Sequence, residues 1–143
     1  TEKRNLKGRS IPLEMFSELN IEKRFSFLSL QKGFGLNQLQ TCSFNNKFVD
    51  SQEEINNNWD FLETSAIISN CDLIITTDTV IAHLAGAMGK ETWLLLSHIP
   101  EWRWGINKID TFWYPSIKLF RQSKKGNWNE LMENISSELR ARL

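Results

Sequence analysis

Short apolar segments alternate with a helical pattern in the second half of the chain. Residues 73–77 and 92–96 are almost entirely aliphatic or β-branched, which is typical of strands buried on both faces of a parallel sheet. Between them, 79–88 predicts a helix, and Gly89 follows in the position that commonly ends one. With a further strand predicted at 117–120, the alternation indicates a layered α/β domain with a mainly parallel sheet.

The first half carries weaker patterns. Pro12 predicts the start of a short helix with apolar residues at 13, 16 and 19. The predicted elements that follow are a strand at 24–30, a helix at 36–39, a short strand at 47–49 and a polar loop at 51–58.

Two further helices have recognisable starts. Asp60 is followed three residues later by Glu63, a capping-box spacing that predicts a helix ending near Asn70. Asn127 and Glu130 have the same spacing before a last amphipathic helix. The segments 1–10 and 97–115 predict irregular structure.

Composition narrows the function classes. The chain has 143 residues, 41% hydrophobic and 24% charged, as expected for one globular domain over 1–143. Seventeen basic and seventeen acidic residues cancel, so neither nucleic acid nor an acidic membrane surface is an expected partner. No apolar run reaches the roughly 18 residues of a membrane span.

The two cysteines and the first residues add two expectations. Cys42 and Cys71 have neither metal-binding nor redox spacing, which favours a reduced, cytoplasmic setting; a single disulfide stays open as the alternative. Because the chain begins at Thr1 without methionine, we expect a piece of a longer protein.

The segment 76–89 carries the clearest chemistry, because it passes directly from a predicted strand into a predicted helix. In open parallel sheets, ligands bind beyond the carboxyl ends of the strands. The first N–H groups of a helix lack intrahelical acceptors and carry partial positive charge, which suits a phosphate. We expect these donors from Thr79, Val80 and Ile81. The side chains of Asp78 and His83 are expected at the same end of the helix.

Helical geometry divides the side chains of this segment. Thr79 and His83 are four residues apart and share one face, where Gly86 permits a close approach. The face expected to pack on the sheet contains Val80, Ile81, Leu84, Ala85 and Met88.

Each candidate residue also has a structural interpretation. Asp78 is equally suited to capping the helix, and a lone helical histidine such as His83 is often structural. Lys32 lies in the glycine turn 31–35, where it either reaches a ligand or is simply solvated. Arg9 either pairs with a phosphate or is a surface charge.

The tryptophans of 102–104 follow a predicted buried strand. Their rings either stack on a base or sugar or fix the loop to the body of the domain. No segment has the pattern of a zinc site or of a nucleophile elbow.

Residues 78–89 resemble the donor-binding signature of heptosyltransferase-like (family 9) glycosyltransferases. They are closer still to the glycosyltransferase-like domain that follows tetratricopeptide repeats in bacterial proteins, a group similar to O-linked N-acetylglucosamine transferases. The resemblance covers roughly residues 8–128 and also rests on 9–12, 29–33, 101–104, 113–115 and 120–122. Val80 departs from it, since heptosyltransferases often have glycine there.

The resemblance implies one half of a GT-B enzyme, in which two three-layer, Rossmann-like domains face a cleft. This chain is similar to the C-terminal, donor-binding half. Arg9 then lies against the donor phosphates, and the pyrophosphate and sugar site is lined by Asp78, Thr79, Val80, Ile81 and His83.

The implied reaction is sugar transfer without a metal ion or other cofactor. The leaving nucleoside diphosphate gains negative charge, which the helix N-terminus, Arg9, Lys32 and protonated His83 would stabilise. The acceptor, its binding domain and the catalytic base are expected elsewhere in the full chain, together with any tetratricopeptide repeats. This piece alone is therefore expected to bind a nucleoside diphosphate weakly and to transfer no sugar.

Two alternatives belong to other classes of protein. One is a non-catalytic nucleotide-binding or protein-interaction module. The other is an unrelated α/β enzyme such as a phosphatase-like hydrolase, for which no nucleophile is identifiable.

Overall fold

The computed structural model of the chain describes residues 8–20 and 25–142. They form two compact units, one of 8–10 and 65–131, the other of 11–20, 25–64 and 132–142. Residues 1–7 of the predicted N-terminal loop lie outside the described residues. The prediction of one domain over 1–143 stays a prediction.

The described part of the chain contains α-helices, strands and short 3-10 helices. The α-helices are α1 (Gln38–Thr41), α2 (Gln52–Asn57), α3 (Phe61–Asn70), α4 (Val80–Ala87) and α5 (Trp128–Arg140). The strands are β1 (Ile74–Thr77), β2 (Thr92–Leu96) and β3 (Ile117–Arg121). The 3-10 helices are Leu13–Leu19, Asn45–Lys47 and Trp102–Trp104.

The first unit is built on a parallel sheet with the strand order β1-β2-β3. Ile74 pairs with Thr92, and Thr92 pairs with Ile117, so the three strands begin level with one another. This arrangement confirms the predicted α/β class and the mainly parallel, Rossmann-like sheet. The two unbroken apolar runs are neighbouring strands, as predicted.

The central strand β2 lies in the core of this unit. All five of its residues are buried, and each buried leucine contributes roughly 1.5–3 kcal/mol by leaving water. One core cluster contains Ala82, Leu94, Leu96, Trp104, Ile117 and Leu119. Trp93 packs against Phe120, with ring centroids 5.1 Å apart.

Helix α4 lies between β1 and β2 along the chain and packs against both strands. It ends in a Schellman motif: Gly89 N–H donates to the Gly86 carbonyl at 3.0 Å, and Lys90 N–H to the Ala85 carbonyl at 2.9 Å. Gly89 has φ +69°, a left-handed conformation that glycine adopts at little cost. The predicted helix end is therefore confirmed.

The prediction of which α4 face packs on the sheet was wrong in part, since it included Ala85 but not Ala82 or Gly86. Ala82, Ala85 and Gly86 are buried, whereas Val80 and Met88 are 54% and 38% exposed. The physical reason is the short distance between the α4 backbone and the elements it packs on. Small side chains permit this distance, whereas larger side chains would not fit.

The two strands predicted in the second unit were also wrong, although Arg24 itself lies outside the described residues. Phe27 and Phe48 form a single isolated parallel bridge. The 3-10 helix Asn45–Lys47 comes immediately before this bridge and interrupts any ladder. The rings of Phe27, Phe44 and Phe48 pack together instead, with centroids 5.2–6.1 Å apart.

Residues 51–58 are not the predicted loop, because α2 occupies most of them. Gln52 is buried and acts as a substitute strand partner for Ser29. Its Oε1 accepts from Ser29 N–H at 2.8 Å, and its Nε2 donates to the Ser29 carbonyl at 2.9 Å. A side chain thus replaces the neighbouring strand that the pattern of 25–30 predicted.

The remaining helix predictions differ mainly in detail. Apolar residues three apart at 13, 16 and 19 match the period of the observed 3-10 helix. Helix α1 starts two residues later than predicted. Asp60 caps α3 as predicted, accepting from Leu62 N–H at 2.9 Å, and the α5 start pairs Asn127 Nδ2 with Glu130 Oε2 at 3.0 Å.

Candidate functional site

The carboxyl ends of β1 and β2 meet at one edge of the sheet in the first unit, since Thr77 pairs with Leu95. Asp78 follows β1 and Ser97 follows β2, so both stand at this edge. A small cavity of about 10 Å³ opens there, which is room for one water molecule. It is lined by Arg9, Asp78, Leu95, Leu96, Ser97, Pro100 and Glu101.

Arg9 and Asp78 come together at this cavity from distant parts of the sequence. Arg9 Nη1 lies 3.7 Å from Asp78 Oδ2, and their side chains are 45% and 11% exposed. A pair that is partly exposed and this long contributes little to stability. Within residues 8–20 and 25–142, Arg9 therefore retains N–H donors without a partner beside a largely buried carboxylate.

A second ion pair borders the same cavity. Glu101 Oε2 accepts from Arg103 Nε at 2.8 Å and from Arg103 N–H at 3.1 Å. Both carboxylates near the cavity, Asp78 and Glu101, thus have an arginine partner. Because each carboxylate is paired with an arginine, neither of them presents an uncompensated negative charge to an incoming anion.

The N-terminus of α4 lies directly after Asp78. Asp78 does not take the capping role, which was one of the two roles expected for it: Thr79 is the N-cap, and no side-chain cap hydrogen bond forms there within the described residues. The hydroxyls of Thr76 and Thr79 are 3.1 Å apart. The Asp78 carboxylate pairs with Arg9 instead, so the first-turn N–H groups of Val80 and Ile81 have no side-chain cap.

His83 is half-buried one turn into α4 and belongs to an aromatic cluster. Its Nδ1 lies 3.1 Å from the Tyr114 hydroxyl. Its ring stacks on Trp104 with centroids 5.4 Å apart and an interplanar angle of 29°. The close approach expected at Gly86 is made by Tyr114 of the same chain.

Lys32 belongs to the second unit. Its Nζ donates to the Ile55 carbonyl, and burial lowers the pKa of this ammonium group. Within that unit Lys32 fastens its glycine turn to α2, which is a structural contact.

The two tryptophans of 102–104 differ in exposure, and each fits one of the two predicted roles, fixing the loop or stacking on a ligand. Trp104 is 1% exposed and part of the core, whereas Trp102 is 75% exposed. Arg121 holds the turn by donating to the carbonyls of Trp104, Gly105 and Ile106 at 3.1–3.3 Å. Burial lowers the pKa of Arg121. Trp104 fixes the loop, and Trp102 remains available for stacking.

A scan against protein-family models and searches of curated proteins and of solved structures find no match to this chain.

Two residues near the candidate site were not assigned a role from the sequence. Tyr114, which precedes β3, contacts His83 although 31 positions separate them. Gln122 follows β3 and is buried, and its Oε1 accepts from the N–H groups of His98 and Gly126, both at 3.2 Å. No local pattern predicts either contact, because each depends on how segments distant in the sequence pack together.

Residues 8–20 and 25–142 contain no cluster of three or more His, Cys, Asp or Glu side chains that could hold a metal ion. Across the same ranges, no helix has the length and apolarity needed to cross a bilayer. Both cysteines, Cys42 and Cys71, are free thiols.

Proposed function

We propose that this sheet edge binds the diphosphate of a nucleotide-sugar, as the donor-binding half of a GT-B glycosyltransferase. One observation carries the proposal: Arg9 lies beside Asp78 in front of the α4 N-terminus, where no side-chain cap is made. A guanidinium and free N–H groups are the donors that bind phosphate oxygens.

Charge explains how such a site would assist sugar transfer. Breaking the bond between sugar and diphosphate leaves negative charge on the leaving group, which fixed donors stabilise without reorganising. Arg9 has five N–H donors and, among the described residues, a single long contact to Asp78, so it can bind phosphate while staying beside the carboxylate. The acceptor and the catalytic base are assigned to the other GT-B domain.

The size of the cavity constrains the binding mode. A space of about 10 Å³ holds a water molecule and not a nucleotide. The diphosphate would therefore lie over the cavity mouth, between Arg9 and the first turn of α4. The exposed ring of Trp102 follows Glu101 at the rim and is suited to stacking on a base or sugar.

A non-catalytic interaction module is the second candidate, because the loop 97–115 exposes much apolar surface. Phe112 is 92% exposed and Trp113 53%, and their rings pack edge to face at 6.3 Å. Exposed apolar side chains in one loop are common at protein-protein interfaces. The others in this loop are Ile99, Trp102, Ile106 and Ile109.

Calorimetric titration of the chain separates the two candidates. The ligands are uridine, adenosine and guanosine diphosphates, with inorganic diphosphate as the base-free reference. Saturable 1:1 binding of at least one nucleoside diphosphate, tighter than inorganic diphosphate, is the expected result. A folded chain that binds none of them would contradict the proposed function and favour the interaction module.

A further inference from the structure

Gly86 and Tyr114 pack tightly against each other beside the candidate site. A Cβ at Gly86 would lie 2.6 Å from Tyr114 Cγ and 2.8 Å from both Tyr114 Cδ1 and Ile117 Cδ1. Such distances are far shorter than carbon atoms tolerate, so only glycine lets the tyrosine ring rest on the helix backbone. The position of the Tyr114 hydroxyl is thus set by the core.

His83 packs against two aromatic rings, which also contact each other with centroids 6.4 Å apart. It stacks on Trp104 and meets Tyr114 edge to face, with centroids 5.4 and 5.7 Å apart. Trp104 is itself fixed, being 1% exposed and tied through its carbonyl to Arg121. The imidazole therefore has little freedom to rotate or to exchange its two nitrogens.

The hydrogen bond between His83 and Tyr114 involves one of the two imidazole nitrogens and leaves the other without a partner among the described residues. Nδ1 lies 3.1 Å from the Tyr114 hydroxyl, while Nε2 has no hydrogen-bond partner in the described part of the chain. In a neutral imidazole, one nitrogen donates and the other accepts. If the tyrosine donates to Nδ1, the proton is on Nε2.

We infer that the Tyr114 hydroxyl is a positioning group, which donates to His83 Nδ1 and keeps Nε2–H as a donor for a phosphate at the α4 N-terminus. The ligand in this inference rests on the proposed function. Helical side chains lean towards the N-terminus of their helix, so His83 lies over the turn that begins at Thr79. Tyr114 itself touches no phosphate in this arrangement.

The first test needs no ligand. In ¹⁵N-labelled protein at a pH where imidazole is neutral, the ring nitrogen shifts report the tautomer of each histidine. The chain has two histidines, so His83→Ala assigns the signals. We expect His83 as the Nε2–H tautomer in the wild type and a mixture of tautomers in Tyr114→Phe.

The matched control is Trp113→Phe, which changes the neighbouring side chain and keeps the tyrosine hydroxyl. It should leave the His83 tautomer unchanged. An Nδ1–H tautomer in the wild type would overturn the inference without any variant, even if Tyr114→Phe failed to fold. An unchanged tautomer in folded Tyr114→Phe would overturn it as well.

The second test is a double-mutant cycle by calorimetry with uridine diphosphate. Tyr114→Phe should weaken binding about two- to tenfold, as expected for one hydrogen bond. Adding it to His83→Ala should weaken binding no further, because Tyr114 acts only through His83. Independent, additive losses would contradict a positioning role.

These measurements distinguish failure of the proposed function from failure of the positioning role of Tyr114. A wild type that has the Nε2–H tautomer, loses it in Tyr114→Phe and binds no diphosphate would refute the proposed function and support the positioning of His83. A wild type that binds diphosphate with the tautomer unaffected by Tyr114→Phe would refute the positioning alone.

Discussion

The two compact units satisfy their backbone hydrogen bonds by different means. In the first unit, β2 pairs with a parallel strand on each side. In the second, Phe27 makes an isolated bridge with Phe48, and the Gln52 side chain bonds both backbone groups of Ser29. Repeated backbone pairing distributes stability over a strand, whereas the second arrangement concentrates it in individual side chains.

This difference matters for where a ligand site can form. A parallel sheet ends its strands at a common edge and supports polar groups there on a rigid base. The edge near Asp78 has this support from the buried strand β2. The loops of the second unit have short turns and single side-chain contacts as their support.

The largest expected effect comes from opening the core of the first unit. Leu94→Ala removes a fully buried side chain from the cluster around Ala82 and Trp104. It should lower the free energy of unfolding by about 2–5 kcal/mol, measured by chemical denaturation. Exposed Leu62→Ala is the control, and equal losses for both would contradict the assignment of this core.

The next effect breaks the side-chain support of the second unit. Gln52→Ala leaves the N–H and carbonyl of Ser29 without their partner and should cost about 1–3 kcal/mol. The exchange rate of the Ser29 amide hydrogen should rise. The control is Glu53→Ala, at an exposed position on α2, which should change neither the free energy of unfolding nor the Ser29 exchange rate. An unchanged exchange rate of the Ser29 amide in Gln52→Ala would contradict the supporting role of the glutamine.

A smaller loss is expected at the start of α3. Asp60→Ala removes the acceptor of Leu62 N–H, and helix caps of this kind contribute about 1 kcal/mol. Asp60→Asn keeps an acceptor oxygen and should restore most of the lost stability. Denaturation curves that do not separate the two variants would contradict a capping role.

Repeating patterns could be predicted from the sequence, and contacts between distant segments could not. The runs around Ile75 and Leu94 are continuous and apolar because buried parallel strands require this on both faces. The α4 face was predicted only in part, because Ala82 and Gly86 carry little apolar surface although close packing selects them. Gln52 as a strand substitute had no local signal, since its partner lies 23 residues away.

The candidate site likewise contains residues that a local pattern predicts and residues that only distant contacts bring there. The strand-to-helix passage at 76–89 predicted where Asp78, Thr79 and His83 would lie. Arg9 was named as a phosphate-pairing candidate, which the resemblance then favoured over a surface charge, and the structure brings it to Asp78. Tyr114 depends on the space above Gly86, which exists only once the loop after β2 folds over α4.

The central claim is that Arg9 and the α4 N-terminus bind a diphosphate, and Arg9→Ala tests it most directly. The control is Arg140→Ala, an exposed arginine at the end of α5. Removing a charge-assisted contact should weaken the calorimetric affinity for the best-bound nucleoside diphosphate by about ten- to a hundredfold. Arg140→Ala should bind as the wild type does, and the stability of Arg9→Ala should fall by less than about 1 kcal/mol. Equal affinities for Arg9→Ala, Arg140→Ala and the wild type would contradict the account.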